Sequence, residues 1–134
     1  MDSDFVEWDD SFSVDVPLMD EQHKKLVAMI NDLFHRCVSG STSANLTFAM
    51  AVKEAANYAK IHFRTEEEYL EKAGYPGLDE QRKEHESFME EVLAIFMKYR
   101  RGQAEPLDLV RFFKKWLLNH IAVLDKKYSS YLID

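Results

Sequence analysis

"HFRTEEEYLEKAGYPGLDEQRKEHESF", residues 62–88, decides how this chain is read. Its two flanks are helix-like and its middle is not. His62 and Glu66 stand four residues apart, and so do Gln81 and His85. Residues at i and i+4 share one face of a helix, so each flank carries a polar pair on a single stripe. Between them Gly74-Tyr75-Pro76-Gly77 breaks any helix. Two helices joined by so short a connection lie antiparallel, which returns the second pair to the level of the first.

Working outward, the rest of the chain reads as helices of the same kind. Leu26, Val27, Ile30, Leu33, Phe34 and Cys37 recur at steps of three and four, with Asp20 as the expected N-cap and Ser39-Gly40 as the stop. The second helix is expected from about Ser43 to Ala73, with Phe48, Val52, Ala55, Ala59, His62, Glu66 and Tyr69 or Leu70 inward. The third spans about Leu78 to Arg101, with Gln81, His85, Phe88, Val92, Ile95 or Phe96 and Tyr99 inward. Gly102 and Pro106 mark the next break, and Pro106 suits the first turn of a fourth helix carrying Val110, Phe113, Trp116, Leu117, His120, Ile121 and Leu124. The predicted fold is all-α, an up-down-up-down four-helix bundle with an extended N-terminal arm. Residues 1–134 are expected to form one domain, with the arm over 1–19 and the bundle and C-terminal tail over 20–134. Phe5, Trp8 and Phe12 of the arm are expected to pack against the bundle.

Composition fits this reading. Of the 134 residues 46% are apolar, which argues against disorder, and a domain of this size buries roughly 68% of its unfolded surface. A net charge of -7 disfavours nucleic acid and anionic membrane as partners. No apolar run approaches the roughly 20 residues of a membrane span, and the acidic opening lacks the apolar core of a signal peptide. A cytoplasmic monomer is expected. The single cysteine, Cys37, permits no intrachain disulfide and reads as a small core residue.

On an antiparallel bundle the inward polar residues gather at one end. His23 lies near the start of helix one, His62 and Glu66 near the end of helix two, His85 near the start of helix three, and His120 and Asp125 near the end of helix four. Bundles build metal sites in this way. Imidazole with carboxylate suits iron, manganese or zinc, and no thiolate is required. Left without cations, these groups would be costly at one buried depth. His120 and Asp125, five apart, sit about 140° around an ideal helix, so they are expected to contact opposite sides of an ion pair rather than one ion. His35 lies twelve residues after His23, about 18 Å along the helix, and is expected to be structural or exposed. In "EEE" (66–68) Glu66 is read as inward, with Glu67 and Glu68 solvated.

At this point the residues resemble a known family. "DEQHKKLVAMINDL" (20–33), "HFRTEEEYL" (62–70), "EHESF" (84–88) and "WLLNHIAVLDKKY" (116–128) are similar to the hemerythrins, most of all to single-domain bacteriohemerythrins, and "FVEWDDSFSVDV" (5–16) resembles that family's opening arm. The resemblance covers nearly the whole chain. It implies two iron ions joined by an oxo or hydroxo group, and reversible binding of dioxygen. It implies one iron held by His23 and His62 with an open position, bridging by Glu66 and Asp125, and a second iron held by His85, His120 and a third histidine. The family pattern there is HxxxH, but this chain has "QRKEH", so Gln81 stands at a usual ligand position. The resemblance places an apolar oxygen pocket near the open iron, and Leu26, Phe63, Trp116, Leu117 and Ile121 match its lining; Tyr128 matches a tyrosine that follows the bridging aspartate and supports the site.

The expected function is therefore non-haem di-iron dioxygen binding, for carriage, storage or sensing, with a separate protein partner for delivery or signalling. No catalytic nucleophile or base stands out, so an enzyme is not expected. The alternative is a di-iron enzyme acting on peroxide or nitric oxide, because Gln81 leaves the second iron short of a ligand. A ferritin-like oxidase is disfavoured: such sites use Glu-x-x-His pairs, and no histidine here follows a glutamate by three. A structural bundle holding zinc, or no metal, is the remaining reading.

Overall fold

The computed structural model describes residues 6–38 and 46–132. Phe5, the Ser39-Gly40 stop and the expected start of helix two at Ser43 lie outside them. Four long helices run in order: α1, Pro17–Val38; α2, Leu46–Lys72; α3, Leu78–Arg100; α4, Pro106–Asn119. Each packs on its sequence neighbours, and α1 also packs on α4. This closes the all-α up-down-up-down bundle that the sequence predicts.

The breaks follow local chemistry. Gly74 adopts φ +67°, with Gly74 N–H donating to the Glu71 carbonyl at 3.1 Å and Tyr75 N–H to the Leu70 carbonyl at 3.0 Å. This is a Schellman close, whose left-handed residue favours glycine. Gly102 ends α3 in the same way, with φ +74° and a 2.8 Å bond from Gln103 N–H to the Lys98 carbonyl.

The start of α1 differs from expectation. The helix begins at Pro17 rather than after Asp20, since proline lacks the N–H that a first turn would leave unpaired. Asp20, already inside the first turn, serves the arm instead. Its carboxylate accepts from Val14 N–H at 2.8 Å and from the Ser13 hydroxyl at 2.6 Å. The described part of the arm, running to Val16, lies against the bundle. Val6 exchanges two 2.8 Å bonds with the Asn31 amide, and Trp8 and Phe12 pack on the main core.

The interior has two apolar clusters. The larger includes Leu26, Ile30, Phe48, Phe88, Phe113 and Ile121, all buried. The smaller gathers Val14, Val16, Met19, Leu70 and Tyr128. Leu70, not Tyr69, is the buried alternative on α2, whereas Ile95, Phe96, Tyr99 and Cys37 are all half-buried. On α1, on α2 and from the end of α4 to Tyr128 the chain passes from one cluster to the other through buried polar residues, so a polar layer lies between them.

Helix four departs from regularity where it crosses that layer. His120–Leu124 form a π-helical turn, in which Asp125 N–H donates to the His120 carbonyl five residues back. A 3-10 turn, Asp125–Tyr128, and a short helix α5, Ser129–Leu132, follow. A π turn holds one extra residue. It therefore stacks His120 and Asp125 on one face, instead of the 140° separation expected from an ideal helix. His120 Nε2 and Asp125 Oδ1 lie 3.0 Å apart.

The extra residue is thus an insertion absorbed locally. Deleting half-exposed Val123 should leave a regular α turn with the histidine and aspartate four apart, still aligned. That variant is expected to fold and retain metal. Deleting Asn119 should rotate His120 away from the layer and lose metal. Circular dichroism and metal analysis of both variants check this; metal loss on deleting Val123 would contradict it.

Candidate metal centre

Among the described residues, seven polar side chains are buried in the layer: His23, His62, Glu66, Gln81, His85, His120 and Asp125. Helices α1, α2 and α3 and the turns that continue α4 all contribute, because each apolar stripe is interrupted by polar residues at this level. Glu66 and Asp125 have no solvent contact, at 0% exposure.

The two carboxylates divide their oxygens between two imidazole pairs. Glu66 Oε2 lies 3.4 Å from both His23 Nε2 and His62 Nε2, while Oε1 lies 3.2 Å from His85 Nε2 and 3.9 Å from His120 Nε2. Asp125 Oδ2 lies 3.0 Å from His23 Nε2, and Oδ1 lies 3.0 Å from His120 Nε2. Among the described residues two candidate cation sites result, His23–His62–Glu66–Asp125 and Glu66–His85–His120, with ligand atoms within 4.8 Å of one another in each.

The contacts are close but poorly satisfied. His23 Nε2, His62 Nε2, Glu66 Oε1 and Asp125 Oδ2 are buried without a hydrogen-bond partner. His85 Nε2 and His120 Nε2 face each other at 3.1 Å, a spacing at which only one of the two can carry a proton. Nitrogen and oxygen donors that converge without pairing suit cations placed between them, and four imidazoles with two carboxylates are a fitting donor set for iron.

The surrounding residues orient the donors. His62 Nδ1 meets Gln22 Oε1 at 2.6 Å, and His85 Nδ1 meets Glu67 Oε2 at 2.8 Å. An Nδ1–H donated to these oxygens turns the Nε2 lone pair inward. Glu67 is thus not simply solvated as the sequence suggests. It is half-buried, and Arg82 Nε lies 3.6 Å from its other oxygen. Glu68 is exposed, as expected. Sequence reasoning also passed over Gln22. The available signal was general: a ligating imidazole is commonly held by an acceptor on its second nitrogen, as at His62 and His85 though not at His23 or His120. Which residue supplies it depends on helix pairing. The Tyr128 hydroxyl donates to Glu66 Oε2 at 2.6 Å.

Of the apolar residues named from the resemblance, Leu26, Phe63, Leu117 and Ile121 are buried beside the layer, and Trp116 is half-buried. Phe63 stacks on His85 with centroids 4.0 Å apart, and Trp116 on His120 at 4.4 Å. Both rings therefore cover the second imidazole pair, not the His23–His62 pair beside which the oxygen pocket is expected; Phe63 also meets His62, with centroids 5.9 Å apart. His35 lies toward the opposite end of α1, edge-on to Phe34, and joins neither group.

Gln81 is fully interior at 1% exposure. Its Nε2 donates to Asp125 Oδ1 at 3.1 Å and to the Leu124 carbonyl at 3.4 Å, and its Oε1 has no partner.

Protonation balances charge in the metal-free layer. Burial works against the imidazolium of His23, but the carboxylates of Asp125 and Glu66, 3.0 and 3.4 Å from its Nε2, outweigh it and raise its pKa to about 9. Burial is likewise overcome at His120 by the charge and close contact of Asp125, to which the charge of Glu66 adds, giving about 10. Desolvation would raise Glu66 and Asp125, yet the imidazoles hold both below the ordinary carboxylate range. Burial and the charges of Glu66 and Asp125 raise Tyr128 and keep its hydroxyl protonated.

Folding therefore takes up protons on His23 and His120. The resulting stabilisation is complete below the unfolded value of 6.5 and is lost as pH rises through about 9 and then about 10. Metal-free protein is expected to melt at lower temperature at pH 10 than at pH 7, and the metal-loaded protein to show a smaller drop. Loading at pH 7 should release about two protons per chain, because a ligating imidazole must be neutral. Calorimetry in buffers of different ionisation enthalpy measures the release, and none detected would contradict the assignment.

The comparisons agree with this geometry. The family model described as "Hemerythrin HHE cation binding domain" matches residues 14–132. A "Hemerythrin-like protein" of Naegleria gruberi is 34% identical over 125 residues, covering 93% of this chain and 92% of that one. A "Bacteriohemerythrin" of Stenotrophomonas maltophilia is 28% identical over 123 residues, covering 92% of this chain and 78% of that protein. A crystal structure of wild-type hemerythrin superposes with a TM-score of 0.85 at 29% identity, covering 96% of this chain and 98% of that one. With its helices in the same arrangement and its buried imidazoles and carboxylates gathered at one level, the chain belongs to the hemerythrin family, a non-haem di-iron, oxygen-binding fold.

Proposed function

We propose that this chain holds two iron ions and reversibly binds dioxygen, as a binding protein rather than an enzyme. The observation that carries this reading is the division of Glu66 and Asp125 between two imidazole pairs. A carboxylate with one oxygen toward each pair suits two cations better than one. His23 and His62 would hold one ion, His85 and His120 the other, with Glu66 and Asp125 shared and an oxo or hydroxo group completing the bridge. When bound, the iron pair supplies the electrons that reversible dioxygen binding requires.

The chain's own residues do the rest. Gln22 and Glu67 fix two imidazoles, and Tyr128 steadies Glu66. The apolar wall of Leu26, Phe63, Trp116, Leu117 and Ile121 limits water at the centre, which favours reversible binding over side reactions. Residues 1–134 are read as one domain, acting as a cytoplasmic monomer that carries, stores or senses dioxygen with a separate partner. No described helix is long and apolar enough to cross a membrane.

Fully reconstituted protein is expected to contain two irons per chain and to show a visible band that appears with dioxygen and disappears on its removal. Glu66→Ala or Asp125→Ala should lose most of the metal, while His35→Ala should leave metal content unchanged. One metal per chain, or zinc alone after growth in ample iron, would overturn the reading. Tyr128→Phe should weaken metal binding roughly 10- to 100-fold, read by competition with a chelator.

A further inference from the structure

Both imidazole pairs face the same two carboxylates, yet the surroundings of the two halves differ. The Glu66–His85–His120 group also has Asp125 Oδ1 3.0 Å from His120 Nε2, so this half offers two imidazoles and the two shared carboxylates. With one bridging oxygen, these donors would leave a position of an octahedral iron open to an exogenous ligand. Gln81 adjoins this half, one helical turn before His85 and on the same face of α3.

The hydrogen bonds of the Gln81 amide define what it can recognise. Its nitrogen has two hydrogens, and two acceptors stand within reach, Asp125 Oδ1 at 3.1 Å and the Leu124 carbonyl at 3.4 Å. The oxygen beside that nitrogen is buried and unpaired. A buried carbonyl oxygen without a donor is costly, so the group calls for a neighbour that carries a proton or a positive charge.

This half also lies beneath the surface, behind Phe63 stacked on His85. A cleft of about 380 Å³ between α2 and α3 reaches His85 and is lined by Phe63, Arg64, Glu67 and Met89 among others. His85, at 3%, is the most exposed of the four imidazoles in the layer.

We propose that the Glu66–His85–His120 half is a second small-ligand site, where the metal keeps an exchangeable position and Gln81 Oε1 accepts a hydrogen bond from the ligand there. The ligand class is a small protic oxygen donor, water or hydroxide at rest, displaceable by a small anion. This rests on the di-iron reading above. It makes the centre exchangeable at both ions, so a small molecule can be taken up on either.

Azide, with the oxidised di-iron protein, is the probe. Charge-transfer absorbance and calorimetry count the azides bound, and iron is measured in the same samples. The parent is expected to bind two azides per chain. Gln81→His should bind one, because the new imidazole fills the position, and should release iron to a chelator about tenfold more slowly. Gln81→Glu supplies an anionic oxygen of the same reach and should also bind one, which covers a histidine variant that fails to fold. Gln81→Leu removes the acceptor but fills nothing. It should keep two azides and bind the second roughly fivefold more tightly, since the displaced water has lost one ordinary hydrogen bond. Two irons with only one azide in the parent would overturn the proposal alone and make Gln81 itself the ligand. Unchanged azide affinity in Gln81→Leu would remove Gln81 from the role. Fewer than two irons per chain would overturn the di-iron reading and this site with it.

Discussion

A carboxylate that meets no water must share its charge with whatever surrounds it, and Glu66 shares its charge with four imidazoles. One oxygen serves His23 and His62, the other His85 and His120. Asp125 repeats the pattern with His23 and His120. Neither group could be accommodated at this depth alone, because an unpaired buried charge costs several kcal/mol, on the order of 3–5 when a partner is removed. The polar layer therefore exists only as a set, and the helices must be in register for it to form.

That requirement explains local features that are otherwise odd. The π turn at His120–Leu124 is an irregular stretch of helix four, and it falls where the chain must present an imidazole and a carboxylate on one face. The arm folds over the end of the layer, with Val14 and Val16 packed on Met19, Leu70 and Tyr128. Asp20 gives up a capping role to hold that arm. The small apolar cluster so formed keeps water from Tyr128, whose hydroxyl is committed to Glu66. Stability at this end comes from pairing within the layer, whereas the far end rests on ordinary apolar packing. The two ends should therefore respond differently to metal and to pH.

The two halves of the layer are alike in donors and unlike in setting. Aromatic rings stack on the second pair, Phe63 on His85 and Trp116 on His120. His85 is braced from the half-exposed Glu67, and His62 from Gln22. Gln81 adds a neutral amide where a charged or imidazole group would have competed for the cation. In the proposed function this difference decides which ion exchanges ligands most freely, and so whether the protein only binds its small molecule or also offers a second place to hold one.

The sequence by itself determined the bundle and the level at which its polar residues meet. Periodic apolar stripes with short glycine- and proline-marked breaks admit few other packings, and His23, His62, Glu66, His85, His120 and Asp125 occupy inward positions on those stripes. Spacing along a helix is a local property, so it could be read. The relation of His120 to Asp125 could not, because an ideal helix separates residues five apart and only tertiary demand selects a π turn. Nor could the roles of Asp20, Gln22 and Glu67. Each depends on which oxygen a neighbouring element brings within about 3 Å, and Glu67 looked like one more solvated carboxylate until α3 placed His85 against it. The sequence marked Gln81 as unusual. Only the folded chain decided that its nitrogen is bound to Asp125 and Leu124 while its oxygen is left facing the interior, because hydrogen bonding between helices is set by packing rather than by the order of residues.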